Sequence, residues 1–103
     1  MEMIIDEKLR EVAASDDEKY IQIYTKLCSS WAGSFIEVLA RFVSREEADK
    51  LKQNGYYTEE KDGLEVLLPP KGVAPGEKVQ LSLSKFFWLK KIMVQGIRAY
   101  QYW

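Results

Sequence analysis

The sequence predicts an α+β fold in one domain, residues 1–103: a long N-terminal helix, a short helix, a three-stranded antiparallel sheet and a C-terminal helix. Three observations predict it. Apolar residues recur at steps of three and four through Tyr20–Val43. Turn-bounded runs of alternating apolar and polar residues follow between Tyr56 and Ser84. A second stripe with helical spacing closes the chain. A chain of 103 residues has room for one core, and its 47% hydrophobic content is that of a globular protein.

Residues 1–5 read as a frayed end or a short edge strand. Asp6 can cap a short helix with Glu7 in its first turn and Leu9 and Val12 on its apolar face; Ser15-Asp16-Asp17 ends it. The main stripe then runs Ile21, Tyr24, Cys28, Trp31, Phe35, Val38, Phe42, with Leu27, Ala32, Leu39 and Val43 beside it. That width suits a core-facing helix. Ser29, Ser30, Gly33 and Ser34 are poor helix formers, so a bent helix or two helices meeting there is the alternative. On the helical reading Phe35 and Cys28 are buried, and Glu37 pairs with Arg41 one turn on.

Ser44-Arg45-Glu46-Glu47 matches a capping box and starts a helix that stops at Asn54-Gly55. Strands follow from Tyr56 and over Leu64–Leu68, joined by a turn at Lys61-Asp62-Gly63. Pro69-Pro70 ends the second strand, Lys71–Gly76 reads as an exposed loop, and Glu77–Ser84 alternates as a third strand. From Ser84 to Trp103, Phe86, Leu89, Met93, Ile97 and Tyr100 share a helical face. The β-branched and aromatic residues there also suit a strand, above all in Arg98–Trp103.

The residue inventory narrows the chemistry. There is no histidine, which removes His-based triads, His general bases and His metal ligands. The single cysteine, Cys28, has no partner for a disulfide or a zinc site and no activating base, and its expected role is a small buried hydrophobe. No phosphate-binding or dinucleotide-binding fingerprint occurs. The carboxylates fall in solvated runs explained by capping and solubility. The expectation is a protein that is not an enzyme and needs no cofactor or metal.

Charge is distributed unevenly. Residues 1–77 hold all 16 acidic side chains and 10 basic ones, whereas residues 78–103 hold five basic and no acidic ones. Candidate partner-binding residues are therefore Lys78, Lys85, Trp88, Lys90, Lys91, Arg98, Tyr102 and Trp103, which combine cations with aromatic rings. The expected function is a small regulatory or adaptor domain that binds protein, as a homodimer in the favoured form. The alternative is a nucleic-acid binder using the basic, aromatic C-terminal segment. Residues Leu51–Leu68 have the helix, strand, Asp-Gly turn, strand order of a winged helix, but the acidic Glu46, Glu47, Asp49, Glu59, Glu60 and Asp62 would repel phosphates there. A membrane surface met by Phe86–Met93 is the least favoured partner. With no signal-peptide pattern and one cysteine, the expected location is cytoplasmic.

Overall fold

The longest apolar stripe of the chain is a β-hairpin. In a computed structural model, which describes residues 2–86 and 89–100, the order is β1 (Glu2–Ile5), α1 (Glu7–Ser15), β2 (Tyr20–Ser30), β3 (Gly33–Val43), α2 (Arg45–Gln53), β4 (Tyr57–Lys61), β5 (Leu64–Leu68), β6 (Val73–Phe86) and β7 (Leu89–Ala99). The seven strands form one sheet in the order β1-β6-β7-β3-β2-β5-β4. Its first and last strands approach each other, so the sheet curls into a nearly closed barrel. Two short helices and seven strands replace the expected long N-terminal helix, three-stranded sheet and C-terminal helix.

The first correction has a plain physical cause. Along β2, Ile21, Ile23, Thr25 and Leu27 point one way; after the turn, Ile36, Val38, Ala40 and Phe42 meet them in register on the same face. Tyr24, Cys28, Phe35 and Leu39 lie on the other face, so apolar residues occur at both parities and imitate a helical period. The β-branched and aromatic content of the segment favours the extended form. Ser30, Trp31, Ala32 and Gly33 make the turn, and Gly33 takes φ 132° there. The Ser30 hydroxyl staples it by accepting from the Ala32 amide and donating to the Gly33 carbonyl, each at 3.3 Å.

The C-terminal segment is corrected in the same sense. It is the second half of a long β6–β7 hairpin, with Leu81 opposite Val94 and Leu83 opposite Ile92 on the core face. The supposed loop at Lys71–Gly76 already contains the start of β6, and Val73 is buried. Between Pro75 and Gln80 the ladder slips: five steps on β6 face two on β7, from Ile97 to Gln95. Gly96 lies inside this irregularity with φ 90°, and a side-chain carbon there would stand 2.0 Å from the Lys78 carbonyl oxygen.

Other elements follow the local signals. Ser44 caps α2, its hydroxyl accepting from the Glu47 amide at 3.1 Å. Gly55 leaves α2 at φ 93°, and Asp62-Gly63 turn β4 into β5 with both φ angles positive. β1 is an edge strand, parallel to β6. The winged-helix likeness ends where β5 joins β2 in parallel, which makes β4–β5 one side of the barrel.

The core is Met3, Ile5, Leu9, Ala13, Ile21, Ile23, Leu64, Val66, Leu68, Val79, Leu81 and Ile92. α1 delivers Leu9 and Ala13 into it. On the outer face of β2 and β5, α2 covers Leu67 and Val43 with Ala48, flanked by Tyr20, Leu51 and Tyr56. β5 is therefore apolar on both faces, which accounts for its run Leu64-Glu65-Val66-Leu67-Leu68.

Candidate functional site: the β2–β3 arm

Among the described residues, the outer part of the β2–β3 hairpin is not laddered to a third strand. The ladder joining β2 to β5 covers only Tyr20–Gln22, and that joining β3 to β7 is Ala40 with Ile92. Val38, opposite Thr25, still packs against the core; beyond it, from Lys26 and Glu37 outward, the two strands continue as a ribbon with no third strand laddered to it among the described residues. From there to Trp31 the ribbon reaches about 17 Å at about 3.3 Å per residue.

The arm is poor in charge and rich in exposed apolar surface. Trp31 at its tip is 100% exposed, Leu27 63% and Phe35 55%. Between Thr25 and Leu39 the only charged residues are Lys26 and Glu37, directly opposite each other. In a chain that is 30% charged, such depletion with large apolar side chains is the composition of an interface core. The helical reading had buried Phe35 and Cys28; instead Phe35 is more than half exposed and Cys28 half-buried. The Cys28 thiol donates to the Glu37 carboxylate at 3.5 Å. Desolvation first, and then that bond and the charge of Glu37, raise the thiol pKa above its ordinary value.

At the base of the arm a polar chain links it to the body. Arg41 Nε donates to Gln22 Oε1 at 2.9 Å, and Gln22 Nε2 donates to the Tyr56 hydroxyl at 3.4 Å. The Arg41 guanidinium also lies 5.4 Å from the centroid of the Tyr24 ring. Arg41 thus bonds across the hairpin to Gln22, where the helical reading had paired it with Glu37. Beside this base, where β3 leaves β7 near the end of α1, a groove of about 420 Å3 opens. Tyr24, Leu39 and Arg41 contribute to its wall from the arm, and Leu83 and Ile92 from the β6–β7 side. Its charged lining is balanced: Asp16, Glu18 and Glu37 against Lys26, Arg41 and Lys91.

The basic residues singled out in the sequence do not form one patch. Lys78, Lys85, Lys91 and Arg98 are exposed. Lys85 is in register with Lys90, and Ser84 with Lys91, which gathers three lysines at the β6–β7 hairpin end. Lys78, in register with Glu2 of β1, and Arg98 flank the ladder slip around Gly96. Lys91 and Arg98 are seven residues apart on β7, about 23 Å. Trp88, Tyr102 and Trp103 lie outside the described residues, and Lys90 is placed here by its backbone register alone.

Sequence reasoning missed the arm as a site. Its signal was present: a stretch almost without charge, carrying Trp, Phe and Leu and broken by Ser29-Ser30 and Gly33-Ser34. Among the described residues no group of three or more His, Cys, Asp or Glu side chains is placed to hold a metal ion, and no helix is long and apolar enough to cross a membrane. Comparisons with protein-family models, with curated proteins and with solved structures give no significant match.

Proposed function

We propose that this protein is a non-enzymatic binding module of regulatory or adaptor type that engages a protein partner through the β2–β3 arm. One observation carries the reading: a ribbon about 17 Å long beyond Thr25 and Val38, nearly free of charge, presents Trp31, Leu27 and Phe35 to solvent. Leaving such side chains wet forgoes about 25 cal/mol for every Å2 of apolar surface that a partner would cover. The unpaired outer edges of both strands add backbone donors and acceptors that a partner strand can meet. A cytoplasmic location belongs to this reading, supported by a single cysteine that is free in the structure.

The test replaces Leu27, Trp31 and Phe35 together with Ser. The variant keeps its fold, because these side chains lie outside the core, and loses the proteins that the wild type captures from an extract of its native cells. Identical captured sets for wild type and variant, together with identical self-association, would overturn the reading.

A second reading, nucleic-acid binding, has its own observation. Lys85 and Lys90 stand directly opposite on neighbouring strands with Lys91 next to them. That backbone register brings three basic positions to one hairpin end, where phosphate contacts would release counterions. Changing Lys85, Lys90 and Lys91 to Gln then weakens binding to DNA or RNA and flattens its salt dependence. Equal binding by both proteins, or none by the wild type, removes this reading.

A further inference from the structure

We infer that the partner covering the arm is a second copy of this chain, in an exchange in which Trp31 of each protomer docks into the groove at the base of the other's arm. This rests on the protein-binding reading above and names its partner.

Three observations on one chain carry it. The first is a matched projection and recess. Trp31 is held out by the Ser30-stapled turn, fully exposed, and the groove of about 420 Å3 lies beside Tyr24, Leu39 and Arg41. That volume falls at the small end of ligand-sized cavities, about 300–1,000 Å3, ample for one indole. Tyr24 and Leu39 supply apolar wall, and the Arg41 guanidinium, already near the Tyr24 ring, can face a second aromatic ring. Trp, Tyr and Arg are the residues that most often dominate binding energy at interfaces.

The second is reach. When two arms overlap antiparallel about a two-fold axis, the tip of one comes level with the base of the other, and the axis passes between Leu27 and Cys28. Both contacts form together because the two arms have the same length, and the exchange closes as a dimer. The overlap also brings the exposed Phe35 of both copies, on the same face of the ribbon as Tyr24 and Leu39, toward the middle of the interface.

The third is charge. The arm carries Lys26 and Glu37 and is neutral, and the groove's three acidic and three basic side chains balance. A strongly acidic or basic partner gains nothing from such surfaces, whereas a second copy meets no net repulsion.

The experiment measures the mass of the protein in solution from about 1 μM to about 1 mM, the range in which a small interface dissociates. Wild type should pass from monomer to dimer. Trp31→Ala removes both projections and Leu39→Arg blocks both grooves, so each alone should raise the dissociation constant at least tenfold. Mixed in equal amounts the two variants should associate again, because one protomer retains a groove and the other a tryptophan. Should Leu39→Arg fail to fold, Glu37→Trp blocks the same groove from an exposed position. A wild type that stays monomeric throughout overturns the exchange and leaves the arm reading to its own extract test. Open-ended oligomers, or variants that do not rescue each other, overturn it as well.

Discussion

Gln22 and Arg41 face each other across the base of the β2–β3 hairpin, with Arg41 Nε donating to Gln22 Oε1 at 2.9 Å. Gln22 is the one buried polar side chain among the described residues, at 6% exposure. Its amide is satisfied from both ends, by Arg41 and by the Tyr56 hydroxyl. The pair sits where the arm stops being part of the barrel and starts to project.

Arg41→Ala should therefore destabilise the protein although Arg41 is itself exposed. It leaves the Gln22 carbonyl oxygen buried without a donor, at a cost of about 1–3 kcal/mol. Urea denaturation measures this. A midpoint equal to that of the wild type would mean that water replaces the guanidinium at no cost.

Phe35→Ala and Ile23→Ala separate the arm from the core. Ile23 is fully buried, and truncating it should cost about 2–5 kcal/mol. Phe35 keeps more than half its surface in water, so its truncation should cost about 1 kcal/mol or less in the monomer. A Phe35 loss as large as that of Ile23, measured at a concentration where the protein is monomeric, would contradict a free arm.

Gly96→Ala should be severe for a residue on the protein surface. Its φ of 90° costs a non-glycine residue about 1–3 kcal/mol, and the added carbon would meet the Lys78 carbonyl oxygen at 2.0 Å. The β6–β7 ladder must then re-register or break. Thermal unfolding gives the loss, and amide exchange along β6 shows where it falls.

Cys28 should label slowly at neutral pH despite its accessible position, because desolvation and the Glu37 carboxylate disfavour the thiolate. The labelling rate should climb with pH and reach its plateau above the ordinary thiol range. Glu37→Gln removes the negative charge, stabilises the thiolate and moves that profile to lower pH. Superimposable profiles for the two proteins would show that Glu37 does not act on the thiol.

Much of the local structure was legible in the residues. Ser44 with Glu47, Asn54-Gly55, Asp62-Gly63 and the alternation of Glu77–Ser84 each specify a cap, a stop, a turn or a strand through groups within a few positions of one another. The fold class was not legible from the same evidence, for a reason visible in Tyr20–Val43. Where one face of a strand is wet and polar, apolar residues mark a period of two. In the arm Leu27 and Ile36 lie on one face and Cys28 and Phe35 on the other, so the combined pattern fits a helical period equally well.

Which form is adopted depends on partners distant in sequence. Ile21 and Ile23 are buried against Leu9, Val66 and Leu81, and Tyr20–Gln22 bond to β5, more than 40 positions away. The sequence by itself determined the Ser44 cap, the turns and the absence of histidine chemistry, because those depend on residue identity and near neighbours. Only the tertiary structure decided that the longest apolar stretch is a hairpin, that its outer half leaves the ladders to β5 and β7, and that its tryptophan stands in water. Those properties follow from where long-range ladders begin and end, which no local pattern encodes.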